Sequence, residues 1–158
     1  MSVITEQVEV DVPVRTAYDQ WTQFETFPEF MGGVEKVEQR TDTMTHWTTK
    51  IGGVKREFDA EIVDQKPDQQ VTWRVVNGPK HDGTVMFLSE GAARTTVRLA
   101  LDYEPQGATE KVGDMTGMVG AQVKEDLRRF KSFIEERGVQ TGGWRGEVDP
   151  GSRDASGQ

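Results

Sequence analysis

Two histidines, one arginine on an apolar face and a run of alternating acids are the residues of this sequence that could do chemistry. His46 precedes Trp47 in a stretch of alternating polarity, so the two point to opposite faces and His46 faces solvent. His81 stands between Lys80 and Asp82 in the connection from Asn77 to Gly83, where it either lines the mouth of a cavity or belongs to a polar turn. Two separated histidines without carboxylates at ligand spacing do not make a zinc centre. Glu57, Asp59 and Glu61 alternate along one face, a solvating pattern rather than an acid–base pair. Arg56 is the charged residue in line with Val54 and Phe58. An inward arginine is costly unless paired or solvated. It could hold a ligand carboxylate or phenolate near a cavity opening, reach solvent from the strand's end, or mark a register shift of one. The chain has no cysteine, which excludes disulfides, thiolate metal sites and cysteine nucleophiles. No GxxxxGK[ST] or GxGxxG motif occurs. These residues nominate no catalytic group, no metal ligand and no cofactor.

The elements that must position them read clearly. Val112, Met115, Val119, Val123, Leu127, Phe130 and Ile134 recur in steps of three and four, which predicts one long helix from about Thr109 to Arg137. Thr109 can cap its start, and Gly138 supplies a left-handed stop. At the other end, Val8, Val10 and Val12 predict a strand that Pro13 terminates, followed by two short helices around Trp21 and Pro28. From Val34 to Tyr103 the period becomes two, with turns that divide about six strands. Consecutive strands with short turns form an antiparallel meander, whose apolar face the terminal helix must cover. The expected class is α+β: a curved antiparallel sheet wrapped around a long C-terminal helix. Residues 1–137 make one domain. Residues 138–158, rich in glycine and poor in apolar groups, read as a flexible tail in which Trp144 is the one large apolar residue.

Charge and hydropathy narrow the function classes. Lys and Arg number 19 against 27 Asp and Glu, a net charge of −8. Such a chain repels phosphate backbones and anionic membrane surfaces, which argues against nucleic-acid binding. No apolar run suits a signal peptide or a bilayer span, so a cytoplasmic protein without stable membrane insertion is expected.

The order of elements resembles the START-like helix-grip (SRPBCC) superfamily over residues 1–137. Particular residues sharpen the likeness to bacterial proteins of the polyketide cyclase/dehydrase type. They are Val12-Pro13-Val14 with Tyr18, Trp21, Phe24, Pro28 and Phe30-Met31; Gly52-Gly53-Val54 before Phe58-Asp59-Ala60-Glu61-Ile62; Val71-Thr72-Trp73-Arg74; and Gly83-Thr84-Val85-Met86-Phe87. The resemblance implies a hydrophobic cavity between sheet and helix. Its expected wall is Trp47, Arg56, Phe58, Ile62, Trp73, Val85, Phe87, Leu99 and Leu101 from the sheet, with Met115, Met118, Val119, Gln122 and Val123 from the helix. Gly113, Gly117 and Gly120 leave space beside the methionines, or else the helix begins later, near Met118. The related polyketide aromatase/cyclases carry an inward arginine deeper along the strand, at the level of Ala60 or Ile62 here.

A non-enzymatic carrier or sensor of a small hydrophobic molecule (lipid, quinone, isoprenoid or polyketide) is the expected function. The alternatives are an aromatase or cyclase acting on a poly-β-ketone, in which cavity shape folds the chain and Arg56 or a tyrosine steers an enolate, and an interaction or stress-related scaffold that uses the acidic surface or the Trp144 tail.

Overall fold

The computed structural model describes residues 2–51, 53–77, 81–103, 112–140, 142–146 and 148. Strand β1 (Ser2–Val10) runs into Pro13, whose φ of −61° starts helix α1 (Val14–Trp21). A 3-10 helix (Phe24–Glu29) follows, with Pro28 inside it. Six strands then run in succession: β2 (Val34–Gln39), β3 (Met44–Ile51), β4 (Val54–Lys66), β5 (Gln70–Asn77), β6 (His81–Ser89) and β7 (Thr95–Tyr103). Helix α2 (Val112–Arg137) is the last element. The expected cap, Thr109, lies outside the described residues.

All neighbouring strands pair antiparallel in one curled seven-stranded sheet, in the order β1-β7-β6-β5-β4-β3-β2. The meander supplies six of these strands, and β1 adds itself beside β7. The half-barrel leaves β1 and β2 as edges, and α2 lies along β1 and reaches β3.

The buried stripe of α2 is Val119, Val123, Leu127, Phe130 and Ile134. Burial of each such side chain is worth about 1.5–3 kcal/mol. Each glycine in a helix interior costs about 1 kcal/mol. Packing therefore outweighs propensity, and α2 is helical through Gly113, Gly117 and Gly120 rather than starting near Met118. At its other end Gly138 takes φ +72° and donates its N–H to the Ile134 carbonyl at 2.9 Å, the stop its position predicts.

The deep core is aromatic. Trp21 packs edge-on to Phe27, Phe87 and Phe130, with ring centroids 5.2, 6.1 and 5.3 Å apart. Tyr18 meets Phe87 in the same manner at 5.4 Å.

Strand β4 alternates inward and outward until Ile62, where the register against β5 slips at Val63. After this bulge the inward residue is Gln65, 1% exposed, and its Nε2 donates to the Tyr18 hydroxyl at 3.0 Å. Desolvation raises the Tyr18 phenol to about 12, against a smaller downward pull from Gln65.

The chain after Gly138 differs from the free tail expected. Residues 142–146 and Val148 lie against the domain at the α1 end. The Trp144 amide donates to Thr22 Oγ1 at 3.0 Å, and Val148 and Gln65 exchange backbone bonds of 2.7 and 2.9 Å. Arg145 pairs with Asp19 and, at 2.8 Å, with Asp68, and its guanidinium sits 5.6 Å from the centre of the Tyr18 ring. Composition argued for free chain because little apolar surface is there to bury. Trp144 and Val148 are held through their backbone and Arg145 through its side chain, each on a specific partner of the domain. Asp68 takes φ +63°, a left-handed value that aspartate tolerates, in the turn between β4 and β5.

On the outer face His46 Nδ1 lies 2.7 Å from Asp59 and Nε2 3.3 Å from Glu57. The hydrogen bond to Asp59 raises the imidazole above its ordinary 6.5, and the same bond lowers the Asp59 carboxyl below 3.8. The pair therefore contributes stability in full between those two ordinary values. That contribution is lost as pH rises through the raised histidine value, or falls through the lowered aspartate value. In His46→Gln, the small decline in denaturation midpoint above pH 6.5 is expected to disappear; an unchanged pH profile would refute the pairing.

Candidate functional site

A cavity of about 70 Å³ lies between the sheet and α2. Its sheet wall is a row of rings carried on successive strands. Trp47 on β3 stacks on Phe58 of β4 (6.2 Å, 9° between planes) and on Trp73 of β5 (6.4 Å, 19°), and Phe58 stacks on His81 of β6 (5.0 Å, 26°). Trp47 and Phe58 are direct cross-strand partners, which accounts for their parallel rings. Leu99 and Leu101 of β7 continue the wall, and α2 contributes Val119, Gln122 and Val123. The structure thus brings Trp47, Phe58, Trp73, Leu99, Leu101, Val119, Gln122 and Val123 together around one space.

The other expected wall residues lie elsewhere. Ile62, Val85 and Phe87 are at most 4% exposed and lie in packed core outside the cavity lining, Phe87 against Tyr18 and Trp21. Met118 is 45% exposed and faces away, because its position on α2 is one step off the buried Val119. The Met115 side chain lies outside the described residues. A Cβ on Gly117 would meet nothing within 4 Å and one on Gly120 would touch Ile4 of β1, so these glycines do not open the cavity. Arg56 does not reach solvent from the strand's end. It is 5% exposed, on the inward face opposite buried Thr49, in an unshifted register with β3. It does not border the cavity itself.

Sequence reasoning missed part of the lining. Trp21 comes from α1 and Phe27 from the 3-10 helix, Met31 and Gly33 from the connection after it, Val34 from β2, and Thr49 and Ile51 from β3. Two titratable groups join them, His81 and Asp126. His81 is the first residue of β6, paired with Tyr103, rather than part of a turn. Burial, helped by the neighbouring Arg56 charge, lowers the imidazole to about 3, so it is neutral at physiological pH. Asp126 is 8% exposed and accepts from the Gly32 amide and from Gln122 Nε2, both at 2.8 Å. Desolvation raises its carboxyl despite these bonds and the nearby Arg129. The signal for Asp126 was present, since it interrupts the stripe between Val123 and Phe130. The site therefore offers an imidazole that stays neutral and a carboxyl that holds its proton to higher pH than usual, in an otherwise apolar chamber.

Gly83 is a close-approach position. A Cβ there would fall 2.4 Å from the Trp73 ring, whose Nε1 donates to the His81 carbonyl at 2.9 Å. Gly83→Ala is expected to push Trp73 out of the wall and cost about 1–3 kcal/mol, as overpacking does. Urea denaturation with tryptophan fluorescence checks this, and a neutral substitution with an unchanged spectrum would contradict the packing.

Comparison with known proteins agrees with this architecture. Residues 10–131 match the family described as polyketide cyclase / dehydrase and lipid transport. A relative in Streptomyces lincolnensis, an uncharacterised 17.2 kDa protein from the melC2–rnhH intergenic region, is 58% identical over 149 residues, covering 94% of this chain and 99% of its own. Among solved structures, the Zhui aromatase/cyclase of Streptomyces sp. R1128 superposes with a TM-score of 0.74 at 16% identity, covering 90% of this chain and 99% of that one. A START superfamily protein of Mycobacterium smegmatis gives 0.65 at 17% identity, covering 85% and 95%. A Deinococcus radiodurans protein gives 0.69 at 25% identity, covering 87% and 99%. No helix of the described residues is long and apolar enough to cross a membrane.

Proposed function

The chain belongs to the polyketide cyclase / dehydrase and lipid transport family, and from that premise we propose that it binds a small, mostly apolar molecule in the cavity between sheet and α2. The observation that carries this reading is the ring wall of Trp47, Phe58 and Trp73 facing Val119 and Val123 across an unfilled space. A close-packed core leaves few voids larger than a water molecule. This one is smaller than the roughly 150 Å³ apolar void that holds benzene. Even a one-ring ligand therefore requires the lining, for instance at Met31, Gly33 and Ile51, to yield. Native mass spectrometry of the purified protein, followed by organic extraction, is expected to find a stoichiometric apolar adduct. Protein that emerges empty is then titrated with 2-naphthol, read by quenching of tryptophan fluorescence. Neither adduct nor quenching would end this reading.

A second reading is favoured by a specific observation: His81 and Asp126 border the same cavity with opposite shifts, and Arg56 is buried beside His81. A carboxyl that holds its proton to higher pH than usual can donate to a ketone oxygen, and an imidazole kept neutral by burial can orient the ketone or its enol by a hydrogen bond without itself taking up a proton. That is the chemistry of a cyclisation or dehydration on a poly-β-ketone. Asp126→Asn and His81→Phe would then abolish turnover of such a substrate while 2-naphthol still binds. If neither substitution changes product formation, the catalytic reading fails.

A further inference from the structure

The indole nitrogen of Trp21 is a buried donor without an acceptor among the described residues, on a side chain that borders this chamber. Trp21 is 2% exposed, borders the cavity, and its buried Nε1 has no acceptor among the described residues. The two tryptophans of the opposite wall are satisfied: Trp47 Nε1 donates to Thr45 Oγ1 at 2.7 Å and Trp73 Nε1 to the His81 carbonyl at 2.9 Å. The rings around Trp21 are those of Phe27, Phe87 and Phe130, which carry no lone pair. An indole N–H donates and cannot accept. A buried donor without a partner is costly, and native proteins rarely tolerate one.

We propose that the Trp21 N–H is a ligand-recognition group and that the molecule held in the cavity is an apolar carbonyl compound whose oxygen accepts from it. This rests on the binding reading above and adds the chemical class. The ligand's body lies along the Trp47–Phe58–Trp73 wall, and its oxygen is directed to the α1 side of the chamber. A hydrocarbon of the same shape leaves the donor unmatched and is discriminated against; a cationic or purely donor ligand gains nothing from it.

The test uses two probes of similar shape, acetophenone and ethylbenzene, titrated into the full chain and into Trp21→Phe. In wild type the Trp21 indole N–H resonance, assigned by multidimensional NMR, is expected to move downfield with acetophenone and not with ethylbenzene. Trp21→Phe is expected to weaken acetophenone about 10-fold, the worth of one hydrogen bond, while ethylbenzene changes little. If both probes bind but the resonance stays in place and the affinity ratio survives the substitution, the proposal is overturned and the binding reading stands. If neither probe binds wild type, the binding reading fails and takes this one with it. Should Trp21→Phe not fold, the wild-type resonance decides alone.

Discussion

Arg145→Ala is expected to destabilise the domain by about 2–4 kcal/mol, a large share of the roughly 5–15 kcal/mol that holds a domain together. Asp19 is 3% exposed, and Arg145 is the cation that faces it from the returning chain. Arg15 lies 3.7 Å from the same carboxylate, but its side chain is 68% exposed and cannot replace a buried pair. Removing one member of such a pair strands the other without water. The full penalty of about 3–5 kcal/mol is discounted because the Arg145 side chain is 29% exposed. Arg145→Lys keeps the charge and loses the fork that reaches Asp19 and Asp68 together, so it should fall between alanine and wild type. Truncation after residue 140 removes Trp144 and the Val148 bridge as well and is expected to cost at least as much as Arg145→Ala. Urea midpoints read all three. A loss below about 0.5 kcal/mol for Arg145→Ala, the usual effect of a surface change, would mean that the segment merely rests on the domain.

That segment also shows where the sequence stops being legible. The meander, the two short helical pieces and α2 follow from period alone, because binary patterning fixes which face is buried wherever the alternation is unbroken. Gly138 was readable for a local reason: a helix stop needs φ > 0 and glycine supplies it. The docking of Arg145 was not, because its partners come from α1 and from the turn after β4. The bulge at Val63 leaves no mark in composition, yet it turns Gln65 inward and gives Val148 a backbone partner. Trp47, Phe58, Trp73, Leu99 and Leu101 were legible as cavity wall from inward positions of β3, β4, β5 and β7, and Val119, Gln122 and Val123 from the stripe of α2. Ile62, Val85 and Phe87 also face inward and still miss the cavity; around Phe87 it is Tyr18 and Trp21 of α1 that fill the space. Whether an inward residue lines a space or a solid core depends on what comes over it from elsewhere in the chain. Arg56 makes the same point: its inward face was legible, but what shields it was not.

Phe130→Ala tests that division between solid core and cavity, and is expected to cost about 3–5 kcal/mol. The ring is 0% exposed and packs on Trp21 (5.3 Å) and Phe30 (5.4 Å). The loss combines the transfer of a phenyl group with the hole left behind, and neighbouring rings cannot collapse into that hole because they hold one another edge to face. The hole would lie beside the existing cavity, because Trp21, on which Phe130 packs, also lines that cavity. Benzene should therefore stabilise the variant more than wild type: a ligand at 100 times its dissociation constant returns about 2.7 kcal/mol, most of what the substitution removes. Thermal melts with and without benzene measure both quantities. A cost under about 1.5 kcal/mol would show that the core around α2 repacks freely. A full cost without rescue would show that the hole persists but does not admit benzene, so that the space at this end differs in kind from the one bounded by Trp47, Phe58 and Trp73. With rescue, the two ends of the half-barrel differ only in whether the chain itself supplies the ring that fills them.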